Sequence, residues 1–309
     1  MRLALLFSGQ GGQRPEHGQQ IGADAPAELL QALADCAIDI AIPQGDFLRG
    51  AVDPEKLAKN SIAQPFIFAQ QMTLWNRLQA DLPRPICAAG YSLGEMAACS
   101  AAGAFSTVEG LYLCIERARL MDQAAPGDNG MLAVLGLDEA LVATLAAECG
   151  LAIAIRNAPR HYVIAGPRAG LDAAAPRLEA AGASRLVPLA VHTPSHTALL
   201  AAAAVNFEKR LNLLPDRRLA FPVLSAIDAT PARSGRAALN ALARQICTRL
   251  DWAACLQTVL EMQPDVVLEI GPGNALARLF AGLAPNVPVR ACDDFRSKAG
   301  IVRWVRSHS

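Results

Sequence analysis

Short, largely apolar runs separated by stretches of helical period are what most restrict the fold open to this chain. Arg2 to Phe7, the run ending at Ala89, Phe221 to Ala226 and Val266 to Ile270 are of strand length, without polar and apolar residues in strict alternation. Strands of that kind are covered on both faces and belong to parallel sheets packed between helices. The helical patterns Ala27 to Ile38, Gln64 to Leu78, Leu93 to Ala102, Val108 to Gln123, Pro194 to Leu214 and Ala237 to Leu250 supply the cover. In such sheets ligands collect at the carboxyl ends of the strands. Gly-rich turns stand there three times, at Ser8 to Gln13, Gly90 to Glu95 and Gly271 to Gly273, and point to one site.

Between residues 127 and 191 the period changes. Gly130 to Leu137, Leu151 to Ile155, Tyr162 to Ala165 and Arg185 to Val191 read as strands, and Asp138 to Cys149 and Gly170 to Ala181 as helices. Asn157, Pro159 and Arg160 separate the middle strands as turn residues. The order β-α-β-β-α-β is that of a split βαβ, or ferredoxin-like, unit. The expected fold is α/β: a large part formed by 1–126 and 192–309, with 127–191 inserted as a small subdomain.

Charge and composition narrow the function. The 28 basic residues balance 28 acidic ones, so no protein-wide field favours nucleic acid or anionic lipid. Aromatic residues make up 5%, too few for base-stacking platforms. No apolar run reaches the roughly 18 residues of a membrane span. Met1 to Phe7 meets a Gly/Gln-rich turn at once, without a small-residue cleavage site, and is expected to be a buried strand rather than a signal peptide. The 8 cysteines are scattered without C-x-x-C pairing, as buried free thiols of a cytoplasmic protein would be, and no metal site is expected.

Gly90-Tyr91-Ser92-Leu93-Gly94 matches the G-x-S-x-G nucleophile elbow and sits between a strand-like and a helical stretch, as that turn requires. A serine needs a base within hydrogen-bond reach. Of the 5 histidines, His17 follows a loop, His308 is next to the last residue, and His161 flanks a strand of the small subdomain. His192 and His196 are left, and His196, expected in the first turn of a helix, is the preferred base. No acidic residue between Ser92 and His196 has a motif of its own, so a pair oriented by a carbonyl or an amide is expected. The backbone N–H of Leu93 is the first oxyanion donor expected, and Gln10, in Ser8-Gly9-Gln10-Gly11-Gly12-Gln13, the second; a plain tight turn is the other reading of that loop. Arg117 and Arg119 lie on one helix, where arginines are ordinarily solvated, but one turned into the cleft would pair bidentately with a substrate carboxylate.

The motifs Phe7 to Gln13, Gly90 to Glu95, Glu116-Arg117, Pro194-Ser195-His196, Arg244-Gln245 and Glu269 to Gly273, with Gln64-Pro65 and Asn157-Ala158-Pro159, resemble in order those of the malonyl-CoA:acyl carrier protein transacylase family. The resemblance spans nearly the whole chain. It implies a hydrolase-like core with a ferredoxin-like insert, Ser92 as acylated nucleophile, His196 as base, and Gln10 with Leu93 as oxyanion donors. It also implies Arg117 as holder of the malonyl carboxylate, Gln245 as the residue whose backbone carbonyl orients the histidine, and Asn157 as a substrate contact. Malonyl-CoA would be the donor, with no bound cofactor, and the phosphopantetheine-type thiol of an acyl carrier protein the acceptor.

Members serving fatty-acid synthesis usually have His where this chain has Tyr91 and Pro where it has Ser8. Tyr91 and Asp251-Trp252-Ala253-Ala254-Cys255 look more like the epsilon subunit of bacterial malonate decarboxylase, which loads that enzyme's own carrier subunit. The expectation is therefore a malonyl transacylase of the decarboxylase. The alternatives are the fatty-acid-synthesis enzyme, a serine thioesterase or esterase, and an idle carrier-binding subunit. Basic residues crowd 209–249, 8 against 2 acidic, and 290–309, 5 against 2, as solvated faces or as docking surface for a carrier or CoA phosphates.

Overall fold

The computed structural model describes residues 1–36 and 42–308. A six-stranded sheet runs through the larger part of the molecule, with β1 (Leu3–Phe7), β2 (Cys87–Gly90), β7 (Arg218–Leu224), β8 (Pro231–Ser234), β10 (Val266–Ile270) and β11 (Val289–Ala291) in the spatial order β11-β10-β1-β2-β7-β8. All neighbours are parallel except the edge strand β8. A five-stranded sheet has the order β6-β3-β5-β4-β9, from β3 (Asn129–Leu135), β4 (Ala152–Ala158), β5 (His161–Pro167), β6 (Arg185–Pro188) and β9 (Leu250–Asp251). Helices Glu139–Glu148 and Arg168–Ala180 complete the β-α-β-β-α-β unit, whose strands pair antiparallel.

The period-2 geometry of β1 explains its unbroken apolar sequence. Leu3, Leu5 and Phe7 enter one core with helix Asn60–Leu78, while Ala4 and Leu6 enter another. That second core also holds Met131, Ala133 and Val163 of the small sheet and Trp252 and Leu256 of helix Trp252–Glu261. The small sheet thus lies over one face of the large one. Each such side chain, fully buried, contributes about 1.5–3 kcal/mol. All eight cysteines are unbridged and six are buried.

Register brings the three turns together. Phe7 pairs with Gly90 on one side and with Ile270 on the other, so β1, β2 and β10 end level. Ser8, Tyr91 and Gly271 leave the sheet side by side.

Several expected boundaries move. The helix expected from Pro194 starts only after a 3-10 turn, Ala198–Leu200, and runs Ala201–Leu211, so His196 lies before it in irregular backbone at φ +63°. Its own N–H bonds to Ile246 O at 2.9 Å and never joins a helix. The helix expected to reach Leu250 is Gly235–Arg244. Asn157 belongs to β4 rather than to a turn. The helix expected from Ala27 covers Ala27–Asp35, and its expected end at Ile38 lies outside the described residues.

Candidate active site

The turn after β2 is tight. A Cβ on Gly90 would lie 2.1 Å from Glu95 N, and one on Gly94 2.1 Å from Phe7 O, so neither position admits a side chain. Between them Ser92 is held at φ +54°, a strained backbone that presents its hydroxyl at the head of helix Gly94–Ala101. Leu93 precedes that helix, and its N–H is among those a helix start leaves without an intrahelical acceptor.

His196 meets this hydroxyl: Nε2 lies 2.8 Å from Ser92 Oγ. On the other side of the ring, Nδ1 lies 2.5 Å from the backbone carbonyl of Gln245. A carbonyl only accepts, so Nδ1 carries the proton and Nε2 is free to accept from the serine O–H. The ring is 1% exposed. Burial pulls its pKa down to about 3; the Gln245 carbonyl opposes this and the Arg117 charge adds to it. The imidazole is therefore neutral at physiological pH. The loop that carries it is pinned by Thr193, whose hydroxyl donates to Asp122 Oδ1 at 3.2 Å.

Arg117 projects from helix Thr107–Ala124 and is completely buried. Nη1 donates to Gln64 Oε1 at 2.8 Å and Nη2 to Gln245 Oε1 at 3.3 Å, both neutral amides, while Nε has no hydrogen-bond partner. Burial brings its pKa down to about 10, which leaves it charged at neutral pH. The Gln245 amide also donates to Ser92 O at 3.0 Å and to Glu95 Oε2 at 3.1 Å. One glutamine therefore joins Ser92, His196 and the Arg117 guanidinium.

The remaining candidates sort by exposure. Arg119 points outward into an ion pair with Glu116 at 2.7 Å, and His192 is exposed. Gln10 and Asn157 line a cleft of about 570 Å³ next to the elbow, with Tyr91, His161, Leu189 and Arg278. Gln10 Nε2 and Asn157 Oδ1 are buried there without hydrogen-bond partners. Asn157 Nδ2 lies 3.3 Å from His161 Nε2. Tyr91 packs edge-on against Trp252 at 5.3 Å.

Asn60 and Asp122 have no place in the sequence reading, and Gln64 only in the Gln64-Pro65 motif, although the three tie the two halves of the site together. Gln64 Nε2 donates to Asn60 Oδ1 at 2.5 Å, and Asn60 Nδ2 to Asp122 Oδ1 at 2.9 Å. Their signal was available: Asn60 and Gln64 stand one helical turn apart, just ahead of the apolar run Phe66 to Ala69. The basic run 209–249 is not one free face, since Arg210, Arg217 and Arg249 pair with Glu116, Glu109 and Glu139. Among the described residues, no three metal-ligating side chains gather, and no helix is long and apolar enough to cross a membrane.

A Gly-x-Ser-x-Gly turn on a parallel sheet faces a histidine and a buried arginine, and the chain belongs to the acyl transferase domain family, whose model matches residues 5–283. It is 31% identical to the malonyl CoA-acyl carrier protein transacylase of Haemophilus influenzae, over 96% of each chain. The acyl-carrier-protein S-malonyltransferase of Burkholderia pseudomallei superposes with a TM-score of 0.86 at 29% identity, covering 98% of this chain and 100% of that one. A malonyl-transacylase in complex with its type II PKS acyl-carrier protein superposes with a TM-score of 0.88 at 28% identity, over 98% and 99%.

Proposed function

We propose that this chain transfers a malonyl group from malonyl-CoA to the phosphopantetheine-type thiol of an acyl carrier protein, through a malonyl ester on Ser92. His196 Nε2 takes the hydroxyl proton as Ser92 Oγ attacks the thioester carbonyl. The oxyanion is met by the Leu93 N–H and by Gln10. Collapse expels the CoA sulfur, which leaves with the proton held on His196, and the carrier thiol then repeats the steps in reverse. An imidazole whose partner is a neutral carbonyl gives up its proton readily, which suits a base that must discharge in every half-reaction. Asn157 and the cleft beside Tyr91 would receive the pantetheine arm. In this reading residues 127–191 form the subdomain that roofs the cleft.

What carries the proposal is Arg117, a fully buried guanidinium joined through Gln245 to the nucleophile and bonded only to neutral amides. Burying a charge whose hydrogen bonds all go to neutral amides is costly, and that cost is repaid when an acyl group brings a carboxylate. Such a charge-assisted contact contributes about 1.5–3 kcal/mol, or roughly a 10–150-fold preference for malonyl over acetyl. Arg117→Ala is expected to lower malonyl transfer and to raise relative acetyl transfer by that factor; unchanged selectivity in competition kinetics removes Arg117 from the role. Intact-mass detection of a malonyl adduct, absent in Ser92→Ala, tests the intermediate. Release of malonate at equal rates with and without carrier would make the chain a thioesterase instead.

For the acceptor, a carrier of fatty-acid type is favoured over that of malonate decarboxylase. Relatives spanning almost the whole chain bear the carrier-protein transacylase name, whereas the decarboxylase likeness stands on Tyr91 and Asp251 to Cys255 alone. Six buried free thiols fit a cytoplasmic enzyme. Side-by-side transfer rates to the two kinds of carrier decide the point.

A further inference from the structure

Glu95 is a carboxylic acid with 1% of its surface exposed, in the same buried network as Arg117. Its Oε2 accepts from Ala226 N at 3.2 Å and from Gln245 Nε2 at 3.1 Å. The Gln245 amide stands between acid and guanidinium, its NH₂ end toward Glu95 and its oxygen toward Arg117. Charge at one end of this line is felt at the other, and in a water-poor interior that coupling is strong. An acyl carboxylate arriving at Arg117 would be a second anion competing for one cation.

We infer that Glu95 is a positioning residue that yields its negative charge to the acyl group. When the acyl carboxylate pairs with Arg117, ionised Glu95 takes one proton from solvent, forming one carboxyl O–H bond, and returns it when the acyl group leaves. The inference rests on the malonyl-Ser92 reading above. Burial pushes the Glu95 pKa up to about 8, against which the Ala226 N–H and Arg117 act, so the acid is already protonated at neutral pH and the exchange shows at and above pH 8. The other groups around it keep their charge there. Asp228, raised by burial, is brought below its ordinary value by the Thr230 N–H and hydroxyl, the Ser225 hydroxyl and Arg244. Burial holds the thiols of Cys87, Cys99, Cys114 and Cys255 far above it. His196 stays neutral and Arg117 charged.

The test is the ratio of kcat/KM for malonyl-CoA to that for acetyl-CoA, with one thiol acceptor, between pH 7 and 9. In the wild-type protein the ratio is expected to fall about tenfold by pH 9, one pH unit above the Glu95 midpoint. In Glu95→Gln, which keeps the shape without the titration, it is expected to stay flat. A flat wild-type ratio, or a fall that persists in Glu95→Gln, overturns the inference. Should Glu95→Gln not fold, indicator-dye proton uptake by the wild-type protein decides: at pH 9, malonyl loading should take up about one proton more per acyl-enzyme than acetyl loading, and equal uptake overturns it. A wild-type protein that forms no malonyl adduct by intact mass fails at the earlier step, the proposed function itself.

Discussion

Ser92 keeps its φ of +54° because the glycines on either side of the turn leave the chain no other path. Gly94→Ala would drive a methyl into the Phe7 carbonyl and should cost about 3 kcal/mol or more. The expected readout is a lowered urea midpoint, with activity lost even where the protein remains folded. The elbow could be read from sequence because those steric demands leave only glycine. His196 reaches Ser92, but not from the first turn of a helix as its place in the sequence suggests. Its left-handed backbone follows from the bond to Ile246 O, a partner 50 residues away that no local pattern announces. Glu95 carries no local sign of its burial, because what surrounds a carboxylate depends on what the fold stacks around it.

Among the elements, long apolar strands were legible and short edge strands were not. β1 and β10 came through because burial on both faces writes itself into every residue. β9 has two residues, too few for any period, yet it binds the small sheet to the later part of the chain through Ile155–Leu250 and Arg156–Asp251 pairing. Asp251 also caps helix Trp252–Glu261, accepting from Ala254 N at 3.0 Å, and pairs with Arg156 at 3.1 Å. That accounts for its presence in structural terms, independent of the decarboxylase likeness. Asp251→Ala should therefore cost about 1 kcal/mol for the cap, and up to about 1 more for the half-exposed ion pair. Denaturant melts of the variant check this, and Asp251→Asn should recover most of the cap.

For the molecule as a whole, buried titratable groups set the pH at which it is most stable. Glu95, raised to about 8, and Glu269, raised to about 7, both by burial first, hold protons in the folded state that the unfolded chain releases near 4.5. Their contribution is complete below pH 4.5 and is lost as pH rises through 7 and 8. His196 acts oppositely. Its neutral folded form loses stability as pH falls from 6.5 toward 3. Burial lowers His161 as well, so two imidazoles offset the two acids below pH 6.5 and the acids act alone above it; calorimetry should find the melting temperature falling from pH 6.5 to pH 8. Glu269→Gln should reduce that slope, although Glu269 accepts from Ala277 N at 2.7 Å and the variant will start from a lower stability. A melting temperature that climbs over this interval would contradict the assignment.

The partner that aims the His196 ring is main chain, and this has an evolutionary corollary. A carboxylate in that place could be deleted by a single codon change; the Gln245 carbonyl survives every replacement of its own side chain. Mutational drift can therefore erode the guanidinium pocket while leaving the His196 ring aimed at Ser92. Variants that have changed acyl preference should then be found more readily than variants that have merely slowed.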